Sequence, residues 1–131
     1  MKELVLLLVA LVLLYLLLPI VIVYMILKYL CGGSGRIVKT WARKTARSID
    51  VFANVEAQEL FNDILITMGG YKFGNKFETI SSVLGKNQRD GTLTTVGTGL
   101  RILLDLIEKN HCLLSINDEL TNTTKWNRYI I

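Results

Sequence analysis

The sequence predicts a mainly α-helical protein, a single N-terminal transmembrane helix followed by a small helical domain. Leu4 to Leu27 contains no charged residue and only one proline. Beyond it, apolar residues recur every three or four positions, the spacing of a helix face. The two-residue alternation of a half-buried strand is scarce. With 131 residues the chain has room for one small domain. Residues 1–30 read as the anchor, 31–35 as a flexible linker, 36–54 as a basic amphipathic juxtamembrane helix, 55–116 as the helical domain, and 117–131 as a loosely ordered tail.

The anchor rests on length. At ~1.5 Å per residue, Leu4–Leu27 spans roughly 36 Å, enough to cross a ~30 Å hydrocarbon core with tilt. Its uncharged stretch exceeds the ~7–15 residues of a secretory apolar region. Pro19 is expected to kink it, which a bilayer tolerates. Lys28, Arg36, Lys39, Arg43, Lys44 and Arg47 follow the span before any acid, and Asp50 is the first. The positive-inside bias then places the short N-terminus outside and the C-terminal domain in the cytoplasm. Cys31 and Cys112 are expected to be reduced thiols there.

"CGGSG" breaks the chain after the anchor. In the helix that follows, Arg36, Lys39, Arg43 and Arg47 form one stripe, with Ile37, Trp41, Thr45, Ile49 and Phe52 nearly opposite. Arg36, Lys39, Trp41, Arg43, Lys44 and Arg47 are therefore the expected contacts with an anionic lipid surface. An ordinary helix packing on the domain with a solvated basic face is the alternative. The net charge of +4 comes largely from this flank, so it points to a bilayer and not to nucleic acid.

Helical periodicity continues through "NVEAQELFNDILITM", with Gly69-Gly70 as its stop. "ETISSVLGK" reads as a short helix capped by Thr79 or a short extended piece. "NQRDGTLTTVGTG" reads as a loop turning at Asp90-Gly91. "LRILLDLIEKN" is a helix with Asn110 as a left-handed stop. Leu60, Phe61, Ile64, Leu65, Ile80, Leu84, Leu100, Leu103, Leu104 and Ile107 are the expected core. Asn122-Thr123-Thr124 matches a glycosylation pattern, which has no meaning in the cytoplasm.

Chemistry is hard to place. "SSVLGK" lacks the first glycine and the hydroxyl residue of a phosphate-binding loop. One histidine and two cysteines fall short of a closed zinc site. His111 and Cys112 are sequence neighbours, not the geometry of a nucleophile and its base. No metal and no cofactor is expected, and the protein is not expected to be an enzyme. Glu78, Thr79, Ser81 and Ser82 can cap helices and tie off turn amides. They form either a structural knot or, with Lys86, His111 and Cys112, a face for a partner.

One ordered string carries a resemblance. Asp50 and Asn54, Gly74, Glu78-Thr79-Ile80-Ser81-Ser82, Gly85-Lys86, Leu103-Leu104-Asp105, Ile107 and His111-Cys112 follow in sequence. This resembles a recurring small protein of tailed bacteriophages and prophages with a "DETISSRxGK…LLDxI…GHC" pattern and no known biochemical role. Phe77, Val83 and Asn110 depart from that pattern. The resemblance implies a phage origin and action at the host envelope. The expected function is non-enzymatic binding or anchoring at the inner membrane, with anionic lipid and a protein partner or a homo-oligomer as partners. A lysis or envelope-disrupting accessory role and a structural role in a membrane-containing virion are the other readings.

Overall fold

A computed structural model describes Met1 to Leu120. The expectations placed on residues 121–131, the sequon among them, lie outside the described residues. The elements are α1 (Lys2–Leu30), α2 (Gly35–Glu56), α3 (Gln58–Ile64), α4 (Ile80–Asp90), α5 (Thr95–Asp105) and α6 (His111–Leu114). No strand forms among the described residues, and the one β-bridge joins Ile66 to Leu93. The fold is mainly α, as the periodicity predicts. The chain divides into two units, Met1–Lys44 and Thr45–Ile131.

In the first unit, α1 buries none of its residues and runs through Pro19. It is long and apolar enough to cross a membrane. Gly32, at φ 84°, turns the chain out of the helix, and the Gly33 N–H donates back to the Lys28 carbonyl at 2.9 Å. Helical backbone resumes at Gly35, so the linker is Cys31–Ser34.

In the second unit the helical pattern after Asn54 does not run unbroken to Gly69. It breaks at Ala57, and α3 ends at Ile64. The chain then pairs briefly with the α4–α5 connection. Thr67 N–H donates to the Thr92 carbonyl at 2.8 Å, and Thr94 N–H donates to the Leu65 carbonyl at 3.0 Å. Those bonds satisfy peptide groups that a longer α3 would have kept to itself.

"NQRDGTLTTVGTG" is mostly helix, not loop. Asn87–Asp90 close α4 and Thr95–Gly99 open α5. Only Gly91–Thr94 connects them. Capping explains the difference. Thr79 Oγ1 accepts from Ser82 N–H at 3.2 Å and Thr94 Oγ1 from Gly97 N–H at 3.1 Å, each satisfying an orphan amide of a first turn. Gly91 supplies the left-handed residue at the end of α4, as a C-terminal glycine does.

Leu65, Ile66, Phe73, Val83, Leu84 and Cys112 form the core, with Phe61, Tyr71, Ile80, Leu93, Leu100 and Leu104 packed against it. Phe61 meets Phe73 edge-on at 5.3 Å, a favoured aromatic geometry. Four expected core residues lie outside it. Leu60, Ile64, Leu103 and Ile107 are 57, 40, 59 and 81% exposed. Two glycines account for the rotation of the helices. A Cβ on Gly97 would stand 2.1 Å from the Leu65 carbonyl oxygen, and one on Gly85 2.1 Å from that of Cys112. Gly97 therefore faces inward, with Leu100 and Leu104 on its side of α5. Val96, Leu103 and Ile107 fall beside that contact and stay exposed.

Candidate functional site

The residues of "ETISSVLGK" converge, and they converge inward. Glu78, Ser81, Ser82 and Lys86 are buried, as is Cys112. Thr79 is half-buried as the cap of α4, and His111 is half-buried with Nδ1 3.1 Å from Glu108 Oε2. The expectation that these side chains form a partner face is corrected by the burial of Glu78, Ser81, Ser82, Lys86 and Cys112, and the polar atoms of Glu78, Ser82 and Lys86 are turned toward one another. Local capping chemistry is visible in the sequence, but which way a capped turn faces is not.

At the centre is Glu78. Its Oε1 lies 2.6 Å from Lys86 Nζ and accepts from Ser82 Oγ at 2.5 Å, while Oε2 accepts from Tyr71 OH at 2.8 Å. The Glu78 and Lys86 side chains are 0% and 3% exposed. Lys86 Nζ also donates to the Leu120 carbonyl at 2.6 Å and sits 4.2 Å from the centre of the Tyr71 ring. Asn117 N–H donates to Ser82 Oγ at 3.0 Å. Residues 117–120 are thus a strap fastened over the ion pair, not part of a loose tail. Burial and the adjacent Glu78 carboxylate push the Tyr71 hydroxyl far above its ordinary range, so it remains a donor.

Three asparagines do the work of a sheet for residues 71–78. Asn87 donates through Nδ2 to the Tyr71 and Val83 carbonyls at 2.8 and 2.9 Å. Its Oδ1 accepts from Tyr71 N–H at 2.8 Å and Thr92 Oγ1 at 2.5 Å. Asn62 takes Phe73 N–H at 2.8 Å and donates to the Phe73 carbonyl at 3.4 Å. Asn54 takes Gly74 N–H at 3.0 Å and donates to the Asn75 and Glu78 carbonyls at 3.1 and 2.7 Å. A side-chain amide offers the same donor and acceptor as a peptide group, so it can pair with one. Asp50 Oδ1 accepts Ile80 N–H at 3.0 Å at the start of α4. Desolvation raises the Asp50 carboxyl, against the lowering effect of that bond.

Tyr71, Asn62 and Asn87 were not singled out by sequence reasoning. The available signal was polar amides at positions where a helix presents its apolar face. Tyr71, Asn62 and Asn87 join Asp50, Asn54, Gly74, Glu78, Ser82 and Lys86, which the sequence reading singles out.

Cys112 is buried, and desolvation, with Asp105 nearby, pushes its thiol up to about 11, the opposite of an activated nucleophile. No group of three metal-ligating side chains occurs among the described residues. The expected membrane-surface residues are placed differently. Arg36, Lys39, Arg43, Lys44 and Arg47 are exposed along α2, and Trp41 is half-buried. Ile37, Ile49 and Phe52, on the apolar side of the same helix, are also exposed.

Comparison with known proteins finds no matching family model, no matching curated protein and no matching solved structure. The candidate site is therefore defined by its geometry.

Two predictions follow from the chemistry of this cluster. Removing one partner of a buried ion pair costs about 3 kcal/mol or more. Glu78→Gln and Lys86→Met should each speed labelling of Cys112 in the folded chain on the order of 100-fold, at 1.4 kcal/mol per tenfold. The double variant should cost less than the sum of the two, and strict additivity would refute the coupling. The second concerns pH. The folded Cys112 thiol holds its proton up to about 11, above its ordinary value of 9.0, so the unfolded chain releases the proton first. Stability should be unaffected below about pH 9 by this group and fall as pH rises toward 11. Tyr71 adds a loss of the same sign above its ordinary value of 10.0. Denaturant midpoints against pH should show a shallower fall in Cys112→Ala than in the parent, and identical slopes would contradict the assignment.

Proposed function

We propose that this protein is a membrane-anchored, non-enzymatic binding or anchoring protein of the bacterial inner membrane, with its helical domain on the cytoplasmic side. One observation carries the reading. A helix with a basic stripe and an uncovered apolar side, α2, follows directly after a helix long enough to span a bilayer. Such a helix gains from both anionic headgroups and the acyl boundary. The burial and mutual pairing of Glu78, Ser82 and Lys86, and the burial of Cys112, support a structural role for the cluster, which leaves binding to the outer surfaces. The motif resemblance supports a phage origin.

Trp41 reports on the α2 contact. In full-length protein carrying Trp126→Phe in anionic vesicles, Trp41 emission should be quenched by brominated lipid. Changing Arg43, Lys44 and Arg47 to Glu removes about 1 kcal/mol of lipid attraction per cation and should abolish most of that quenching. Unchanged quenching would sink the contact. Cys112 is shielded and cannot report sidedness, so orientation is read from the exposed Glu59 position. A Glu59→Cys, Cys31→Ser chain should resist an impermeant thiol reagent in intact cells and react once they are opened. Labelling from outside would reverse the orientation.

A further inference from the structure

After the exposed Thr95, the outward side of α5 carries a run of exposed apolar residues. Val96, Ile102 and Leu103 are 57, 48 and 59% exposed, Gly99 is open, and exposure rises to 78 and 81% at Leu106 and Ile107. Helical bonds continue through this end, with Leu106 N–H to the Ile102 carbonyl and Ile107 N–H to that of Leu104, both at 3.1 Å. Positions 96, 99, 103 and 106 then fall in one stripe. Leu100 and Leu104, on the other side, pack in the core. An apolar stripe of this kind on a soluble domain marks a contact surface.

We infer that this face of α5 inserts into the acyl-chain boundary of the bilayer that holds α1, giving the domain a second lipid contact. The inference rests on the anchored reading above. Three features select lipid over protein. The stripe is purely aliphatic, without the Trp, Tyr or Arg that anchor protein interfaces, where Leu and Val are under-represented. Acyl chains accept Leu and Ile without shape complementarity. Its exposure is greatest at one end, at two adjacent side chains, which is the form of a wedge and not of a flat, self-complementary patch. Beyond the wedge, Lys109 is exposed and makes no ion pair among the described residues, while the neighbouring Glu108 is engaged by His111. Lys109 is a cation that anionic headgroups can attract. Only fourteen residues separate Leu30 from Thr45 in the chain.

The test uses the full chain in nanodiscs of mixed anionic and zwitterionic lipid. Ile107→Cys in a Cys31→Ser background takes an environment-sensitive fluorophore, and the same background without Ile107→Cys verifies that buried Cys112 stays unlabelled. Emission should be lost to lipids carrying a nitroxide high on the acyl chain and be protected from aqueous iodide, at one protein per disc. Adding Leu103→Asp and Leu106→Asp should restore iodide quenching. A label open to iodide and insensitive to the nitroxide lipids overturns the inference. So does protection that appears only with two or more proteins per disc, which would assign the face to a second copy. A parallel label at Leu17→Cys separates the two readings. If deep nitroxide lipids quench it while the Ile107 label stays in water, only this inference fails; if neither is quenched, the anchor fails as well.

Discussion

A carboxylate withdrawn from water must find donors for both of its oxygens, and in this domain Glu78 imposes that demand on everything around it. Its donors are three side chains: Tyr71 in the segment before α4, and Ser82 and Lys86 on α4 itself. Ser82 and Lys86 stand four and eight residues beyond Glu78, so both lie on one side of α4. Lys86 in turn needs acceptors, and the Leu120 carbonyl and the Tyr71 ring supply what Glu78 does not. The strap at 117–120 is held by this need, since one of its carbonyls and one of its amides close the cluster. A buried pair of this kind contributes little net stability against an apolar replacement, but leaving either charge alone is costly.

The backbone of residues 71–78 raises the same problem in neutral form. The segment crosses the core around Phe73 without a strand beside it, so its peptide groups lack a ladder. Asn54, Asn62 and Asn87 reach it from α2, α3 and α4 and pair with Tyr71, Phe73, Gly74, Asn75 and Glu78. Three helices are thereby tied to one loop, by amides that lose their bonds if any helix shifts. Close packing at Gly85 and Gly97 completes the arrangement, because each admits a backbone carbonyl where a side chain would stand.

These constraints divide the molecule's chemistry from its surface. The groups that look reactive in the sequence are consumed in holding the domain together, and Cys112 is a buried core residue with a suppressed thiolate. The surfaces left to other molecules are the cationic and apolar sides of α2 and the aliphatic outer side of α5. Both fit the bilayer contacts proposed above.

The long uncharged run of α1, the amphipathic pattern of α2, the caps at Thr79 and Thr94 and the stop at Gly91 are local properties, and all are encoded in short stretches of sequence. A helix boundary or an apolar period depends on neighbours within a turn or two. The fold class follows from these alone. What periodicity cannot encode is which side of a helix a distant segment will cover. Leu100 and Leu103 look equivalent in the sequence, yet the Gly97–Leu65 contact buries the first side and exposes the second. Glu78 and Lys86 look like solvated charges until Tyr71 and the strap remove the water. Those assignments depend on contacts between residues far apart in the chain, so only the packed tertiary structure decides them.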